Sequence, residues 1–378
     1  MNPRLSTRSL FVAVVLACTC LASVALAQDN PYSQARPRFL AGRNPNWTPP
    51  AGAASLTQWN GSFTDLTNQH IAFTMIGTDP AKTNVTTTVP VVIVPLKMVY
   101  GPSNGNKTFD PTKHKLPNGQ TVLQMILASP ILNANVDFKQ GGTDLGKTQY
   151  IDAFQRGNFW GKNVKKNNKY HVLLGKPKVM PVLTIKVSPS LGSVVTDPVK
   201  GRIKVGLYDF STMMNTIIPT YIAQHHIQPN TLPMFINYDT YLSSGGISGC
   251  CIGGFHFALG SQPTGQTYAQ FTAVDNSGIP NDLNFSEDVS AMSHEIGEWL
   301  DDPFIDNFVN CQDNGILEVG DPLEHNRQTF GDFPYKVGNF TYHIQSLVFL
   351  GYFGAPRSTS LHKWLSFQND EKNVCPGQ

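Results

Sequence analysis

Residues 285–303 read FSEDVSAMSHEIGEWLDDP, and this stretch decides the fold prediction for the second half of the chain. Ser286 is a residue type favoured at helix N-caps, and acidic residues follow it where the helix dipole favours negative charge. Pro303 cannot continue a helix. The stretch therefore predicts a helix of about four turns that starts after Ser286 and ends before Pro303.

The predicted helix carries the side chains of a metal site. His294 and Glu298 are four residues apart, so they lie on one face and can reach one ion. Glu295, one position round the helix, would face a water held by that ion. A carboxylate oxygen ligates zinc at about 2.0–2.2 Å, much as an imidazole nitrogen does. We therefore predict His294 and Glu298 as metal ligands and Glu295 as the general base.

A catalytic zinc takes three protein ligands and one open position, so a further acceptor is expected downstream. Glu318, Asp302 and Asp321 are the candidates, and Asp302 repeats the four-residue step from Glu298. Asp302 also lies at the negative end of the helix dipole, where a carboxylate needs a cation or a capping role. One histidine with several carboxylates also suits calcium, so zinc and calcium both remain open.

The segment His294-Glu295-Ile296-Gly297-Glu298 resembles the His-Glu-x-x-His motif of zincin metallopeptidases, with Glu in place of the second His. The resemblance implies a zinc-dependent peptidase. In zincins a helix is followed by several strands, then by the metal-binding helix and then by a third ligand further along the chain, and residues 209–321 are similar to that order. The resemblance makes Glu318 the leading third ligand, because its spacing from Glu298 is similar to that in thermolysin-like gluzincins.

A second resemblance is longer. Residues 293–303 and 318–321 resemble the Ser-His-Glu-x-x-Glu-x-x-x-Asp-Pro and Glu-x-Gly-Asp segments of exordium-like (phosphate-induced) and related uncharacterised bacterial secreted proteins. This resemblance implies a secreted protein associated with the cell wall or with growth, and it does not specify a catalysed reaction.

Several of these residues can also be explained without a function. A solvated helix face is the alternative to the metal site, but the chain has only 14% charged residues, which makes this acidic concentration unusual. His256 is interpreted as an ordinary core or surface histidine, with a strand residue facing the metal helix as the alternative. Oxyanion donors are sought downstream, among the following residues: Tyr335, Tyr342 and His343.

The N-terminus predicts export. Arg4 and Arg8 precede an apolar run that ends at Ala25-Leu26-Ala27, which is the order of a cleaved signal peptide over residues 1–27. A lipidation site at Cys18 is a weaker match. No later stretch has the length of a membrane span, and a net charge of +2 offers no basic stripe for nucleic acid. A secreted, extracellular or periplasmic protein is expected.

Four cysteines remain after cleavage, and an even number in an oxidising compartment predicts two disulfides. The residues are Cys250, Cys251, Cys311 and Cys375. Three pairings exist, and the bond between the adjacent Cys250 and Cys251 is the least expected because neighbours meet disulfide geometry only with strain.

The whole chain predicts an α+β fold, with a mixed or antiparallel sheet, packed helices and a zincin-like C-terminal half. Residues 28–60 are rich in Pro, Gly and Asn and predict an extended arm without regular structure. Strands, helices and turn signals follow it. The predicted divisions are a signal peptide 1–27, an arm 28–60, an N-terminal α+β part 61–205 and a part 206–378 that carries the metal helix.

The function expected from these residues is that of a secreted metal-dependent hydrolase, a zinc peptidase with Glu295 as base, acting on a peptide or cell-wall substrate. The alternative is a non-catalytic extracellular or wall-associated protein with a structural calcium or zinc site, or with a degenerate one. No oligomeric state is predicted.

Overall fold

The computed structural model describes residues 38–161, 164–165, 168–201, 203–274, 285–311, 315–326 and 329–375. The predicted signal peptide and the first part of the arm lie outside the described residues. Among the described residues, no helix is both long enough and apolar enough to cross a membrane.

Strands dominate the fold: of the described residues, 37% lie in strands and 20% in helices. The strands are β1 Arg38–Asn44, β2 Gln58–Thr64, β3 His70–Ile76, β4 Thr86–Val89, β5 Val91–Tyr100, β6 Thr108–Phe109, β7 Val136–Gln140, β8 Thr143–Thr148, β9 His171–Leu174, β10 Lys178–Val179, β11 Leu183–Val187, β12 Gly192–Thr196, β13 Lys204–Asp209, β14 Leu232–Tyr238, β15 Thr240–Ser243, β16 Ile252–Leu259, β17 Gln266–Ala273, β18 Asp332–Val337 and β19 Phe340–Gln345.

Helices are fewer and mostly short. They are α1 Val122–Ala128, α2 Tyr150–Asn158, α3 Phe210–Thr212, a π-helical segment Met213–Ile217, α4 Ile218–Gln224 and α5 Ser290–Asp301. Short 3-10 helices lie at Pro102–Asn104, Gly246–Gly249, Asp321–Leu323, Leu350–Phe353, Arg357–Thr359 and Leu361–Lys363.

One mixed sheet of eleven strands organises the molecule and curls into a half-barrel. Its main path runs β10-β5-β14-β17-β16-β15-β13-β12, with β1 on β16 and with β6 and β11 on β5. Strands β5, β14, β16 and β17 are almost entirely buried, as expected for central strands covered on both faces. Further two-stranded sheets are β2-β3, β4-β9, β7-β8 and β18-β19.

The predicted α+β fold with packed helices and a zincin-like C-terminal half is wrong. The order of helix, strands and metal helix does occur after residue 209, but it is part of a larger sheet. Strand β5, from the predicted N-terminal part, pairs in parallel with β14 from the C-terminal part. The apolar, β-branched run of β5 therefore joins the two halves through backbone hydrogen bonds, which local periodicity does not reveal.

The helix predicted within residues 285–303 and the arm predicted at residues 28–60 each differ from the structure in detail. The metal helix α5 begins at Ser290, because Ser286 and Asp288 have left-handed backbone conformations (φ of 57° and 33°) that a helix start does not allow. The arm is in part regular, since Arg38–Asn44 forms β1 and pairs in parallel with β16. That pairing is tertiary, so the Pro- and Gly-rich composition did not indicate it.

Helix α5 lies in the centre of the molecule with all twelve residues buried. It packs on β16, β17 and β19 and also contacts α2, β3 and β1. Gly297 allows the segment after β19 to approach α5 closely, because a Cβ at Gly297 would overlap the side chain of Leu347. Strands β16 and β17 of the large sheet, together with β19, β3 and α2, therefore enclose the predicted metal helix.

Both expected disulfides are present, but with the pairing that was least expected. Cys250 is bonded to Cys251, and Cys311 is bonded to Cys375 across a sequence separation of 64. The bond between adjacent cysteines was least expected because of the disulfide geometry of two neighbouring residues alone, without their surroundings. Here both vicinal cysteines are fully buried at the start of β16, where the surrounding fold determines their conformation.

Candidate metal centre

Three parts of the fold bring acidic and histidine side chains together. Helix α5 supplies His294, Glu295 and Glu298, strand β16 supplies His256, and the loop after residue 315 supplies the remaining carboxylates. We call this group the acidic-histidine cluster. Its members are His256, His294, Glu295, Glu298, Glu318 and Asp321.

His294 has a defined proton position. Its Nδ1 lies 2.5 Å from the side-chain oxygen of Gln345. The amide nitrogen of Gln345 donates to the carbonyls of Gly320 and Phe330, at 3.1 and 2.9 Å. The oxygen of Gln345 is therefore the acceptor, and Nδ1 of His294 is the donor. In the neutral ring this leaves a lone pair on Nε2, the arrangement found in metal-ligating histidines.

Glu298 presents one carboxylate oxygen to this lone pair. Its Oε1 accepts from the backbone N–H of Gly320 at 3.1 Å, while Oε2 lies 3.0 Å from Nε2 of His294. Among the described residues, neither Oε2 of Glu298 nor Nε2 of His294 has a hydrogen-bond partner, although both residues are buried. Two acceptor atoms that face each other in this way suit a shared cation, because burying such atoms unpaired is costly.

Gly320 lies against the cluster at a position that was not among the predicted site residues. A Cβ at this residue would overlap the imidazole of His294, so glycine is needed for the loop to approach α5. The same close approach brings the Gly320 N–H to Glu298 and its carbonyl to Gln345. The signal in the sequence that could have indicated this close approach is the glycine of the Glu-x-Gly-Asp segment.

His256 faces the metal helix and is not an ordinary core histidine. Its Nδ1 lies 3.2 Å from Oε2 of Glu295 and 3.6 Å from Oε2 of Glu298, and its Nε2 lies 3.8 Å from Oε1 of Glu318. His256 is therefore a strand residue that faces α5, which was the alternative interpretation of this histidine. The available signal was a single polar residue in the otherwise apolar strand IGGFHFAL.

The downstream carboxylates are divided between the two histidines. Asp321 places Oδ1 3.6 Å from Nε2 of His294, whereas Glu318 lies beside His256 and hydrogen-bonds to the carboxyl of Glu298. Glu324 is close to His294 and Asp321 as well. The nearest downstream carboxylate to the free nitrogen of His294 is therefore on Asp321 rather than on Glu318.

Asp302 has a capping role. Its Oδ1 accepts from the backbone N–H groups of Asp306 and Asn307, at 3.0 and 3.1 Å. These bonds hold the loop that follows α5, which is one of the two roles expected for an acid at this end of a helix. Asp302 does not belong to the groups of side chains that approach closely enough to hold an ion.

Burial controls the charges of the cluster. It raises the pKa of Glu295, Glu298 and Glu318 well above the usual range, and neighbouring carboxylates raise each of them further. Burial lowers the pKa of His256 to about 3 and that of His294 to about 4. Both imidazoles are therefore neutral near pH 7, as metal ligation requires.

Two sets of side chains in the cluster region have ligand atoms within 4.8 Å of one another. One set is His256, Glu295 and Glu298, and the other is His294, Asp321 and Glu324. Nitrogen with carboxylate oxygen is a donor set that zinc accepts, and the excess of oxygen also suits a harder cation. The side chains thus fit a divalent metal ion, while its identity remains open.

A third acidic group does not need a metal. His343 donates from Nδ1 to Asp288 at 2.7 Å, and Glu287 lies 3.5 Å away. Although burial opposes a charge on His343, the hydrogen bond and negative charge of Asp288 raise its pKa. The carboxylate of Asp288 therefore already has a hydrogen-bonding partner in His343.

The predicted oxyanion donors all contact groups other than the cluster. His343 is paired with Asp288, as described above, and the hydroxyls of the two tyrosines donate to backbone carbonyls. Tyr335 bonds to Asp137, and Tyr342 bonds to Met125.

The cluster meets solvent on one side. The side chains of His256, His294 and Glu295 are 0% exposed, whereas that of Asp321 is 31% exposed. Phe39 of β1 covers His294, with ring centroids 4.0 Å apart. An ion would therefore approach past Asp321 or after displacement of β1.

Comparison of the chain with protein-family models, with curated proteins and with solved structures gives no match.

Proposed function

We propose that this is a secreted protein whose acidic-histidine cluster binds zinc, and that it is a metal-dependent hydrolase acting on peptides or cell-wall polymers. One observation carries the metal proposal: Nε2 of His294 and Oε2 of Glu298 lie 3.0 Å apart, both buried and both without a hydrogen-bond partner. Gln345 holds the proton of His294 on the other nitrogen, so the space between the two atoms takes either a proton on Glu298 or a cation, and zinc would displace that proton.

The ligands proposed for zinc are Nε2 of His294, Oε2 of Glu298 and Oδ1 of Asp321, which takes Glu298 from the first of the two sets above and His294 and Asp321 from the second. Asp321 replaces Glu318 as third ligand because it lies 3.6 Å from Nε2 of His294. It is also the most exposed member of the cluster, which places the approach to the ion on its side. Glu318 would then support His256 and Glu298 from the opposite side.

Glu295 is the proposed proton acceptor. Its Oε2 lies 3.2 Å from Nδ1 of His256, and its Oε1 has no hydrogen-bond partner among the described residues. When bound, zinc lowers the pKa of a coordinated water toward neutrality and polarises a substrate carbonyl. The carboxylate of Glu295 would take a proton from the attacking water and return it to the leaving group.

A second candidate is a non-catalytic protein with a structural metal site. The complete burial of His256, His294 and Glu295 favours it, because a catalytic site needs access for substrate. A structural ion would raise the melting temperature without any hydrolysis, since metal binding is coupled to folding.

Metal analysis of the purified mature protein is the first test. About one equivalent of zinc would support the hydrolase, whereas calcium would favour the structural alternative. Glu298→Gln should lower zinc affinity by more than the roughly 10–100-fold that loss of an outer-shell partner costs. Glu298→His should retain zinc, because imidazole can take the place of the carboxylate.

Asp332→Asn is the matched control for these variants. Asp332 is another buried carboxyl whose pKa burial raises, but it is not a member of the cluster. Its replacement should leave zinc affinity unchanged. Wild-type zinc affinity in Glu298→Gln would show that Glu298 is not a ligand.

Glu295→Gln separates the two candidate functions. The substitution keeps the shape of the side chain and removes the proton acceptor, so hydrolysis should fall by roughly 100-fold or more with zinc retained. Peptide and peptidoglycan libraries supply the substrates. Metal loss in this variant would make Glu295 a ligand instead of a base.

A further inference from the structure

Strand β16 is shaped around Glu295. Gly254 and His256 are two residues apart, so they lie on the same face of the strand, toward α5. A Cβ on Gly254 would come within 2.8 Å of Oε1 of Glu295 and 3.0 Å of the carbonyl of Gln270. Gly254 thus makes room for the carboxylate, and His256 lies against its other oxygen.

The imidazole of His256 has little freedom to move. Its neighbours across the sheet are Ala41 of β1 and Ala269 of β17, two small residues that leave space for the ring. The ring is 0% exposed and lies between Glu295 at Nδ1 and Glu318 at Nε2. A buried ring in such a slot keeps its hydrogen-bonding atom at a fixed place relative to α5.

We infer that His256 is the positioning residue for Glu295: its Nδ1–H holds Oε2 of the carboxylate and so selects the side-chain conformation in which Glu295 acts as proton acceptor. The inference rests on the proposed function, in which Glu295 is the proton acceptor. A carboxylate in the middle of a helix has several accessible rotamers, and a donor on a neighbouring strand selects one of them.

Three substitutions of His256 test this role. The amide nitrogen of an asparagine lies near the position of Nδ1, whereas that of a glutamine lies near the position of Nε2. His256→Asn should therefore keep hydrolysis within about tenfold of wild type, while His256→Gln and His256→Leu should lose roughly 100-fold or more. All three should keep one equivalent of zinc and fold, as checked by thermal melting.

A double variant and a spectrum show that His256 acts through Glu295. The double variant His256→Leu, Glu295→Gln should hydrolyse substrate at the same rate as Glu295→Gln alone. Glu295→Gln already removes the carboxylate whose position His256→Leu would disturb. In the cobalt(II)-substituted proteins, His256→Leu and Glu295→Gln should alter the visible absorption alike, and His256→Asn should not alter it.

The outcomes separate this inference from the proposed function. Loss of zinc from both His256→Asn and His256→Leu would overturn the inference alone, since His256 would then be a ligand. Wild-type activity in His256→Leu, or a double variant with additive losses, would also overturn it alone. A wild-type protein that binds no metal would overturn the proposed function and this inference with it.

Discussion

The side-chain oxygen of Gln345 lies 2.5 Å from Nδ1 of His294, and both N–H donors of the same amide bond to backbone carbonyls. Gln345 therefore connects the end of β19 to the metal helix and to the loop that carries Gly320. Because the amide cannot turn over without losing these bonds, it determines which nitrogen of His294 is free. The same residue thus orients a proposed ligand and holds the loop that completes the site.

Replacing Gln345 by leucine should weaken zinc binding without removing a ligand. Nδ1 of His294 would lose its acceptor, and the carbonyls of Gly320 and Phe330 would lose their donor. We expect zinc affinity to fall by roughly 10–100-fold. Competition with a chromophoric chelator measures the dissociation constant.

Gln270→Leu is the matched control for this variant. Gln270 of β17 is also a fully buried amide, but it pairs with Phe255 of β16, so its side chain lies on the opposite face of the sheet from that of His256. Its side chain has no hydrogen-bond partner. Zinc affinity should stay at the wild-type value, and equal losses in the two variants would argue against a specific role for Gln345.

The buried carboxyls predict how stability depends on pH. Because burial raises the pKa of Glu295, Glu298 and Glu318, the folded metal-free protein keeps protons that the unfolded chain releases. Its free energy of unfolding should therefore fall as pH rises from about 6.5 to 8. The histidines, whose pKa values are lowered, oppose this trend only below about pH 6.5.

Zinc should reverse that trend, because it stabilises the charged carboxylates. The increase in melting temperature on adding zinc should grow over the same pH interval. Urea unfolding at pH 6.5 and pH 8, with and without zinc, checks both signs. A metal-free protein that becomes more stable toward pH 8 would mean that the cluster is already compensated by other groups.

The sequence predicted the parts of the site that depend on short-range geometry. His294, Glu295 and Glu298 lie on a helix as expected, because their relation depends only on helical periodicity. The orientation of His256 was not predictable in this way. Strand β16 is buried on both faces, so its apolar pattern does not show which side chains face α5.

Long-range pairing explains the remaining differences. The arm composition gave no signal for β1, whose strand conformation comes from pairing with β16. The eleven-stranded sheet likewise depends on the pairing of β5 with β14, which are more than a hundred residues apart. Periodicity identifies each strand, but the order of strands in the sheet is decided by packing of the whole core.

The two disulfides should differ in their contribution to stability. Cys311–Cys375 closes a long loop, with a sequence separation of 64, and the loop-entropy relation assigns it about 4 kcal/mol. Cys250–Cys251 closes no loop, so replacing both residues by alanine should cost less, about 1–2 kcal/mol from lost packing. Urea unfolding of the two double-alanine variants measures the difference.

Peptide mapping of the unreduced protein checks the pairing itself. A peptide that contains both Cys250 and Cys251 should resist alkylation, and the peptides of Cys311 and Cys375 should be joined. Four labelled thiols in the unreduced protein would contradict both bonds.

Phe39 should control how fast the metal ion exchanges. Its ring covers the imidazole of His294 and also packs against Phe285, with centroids 5.1 Å apart. It is the one buried residue of β1. We expect Phe39→Ala to shorten the half-time of zinc transfer to a chelator by about tenfold, because removing the ring loosens the strand that covers the site. The zinc content at equilibrium should remain one equivalent.

Leu40→Ala is the control, because Leu40 is the next residue of the same strand and points to the opposite face. Its half-time should stay close to that of wild type. If both variants release zinc equally fast, a general loosening of β1 is responsible rather than the ring over His294. If neither variant changes the half-time, the ion must leave past Asp321, whose side chain is 31% exposed, and β1 need not move for exchange.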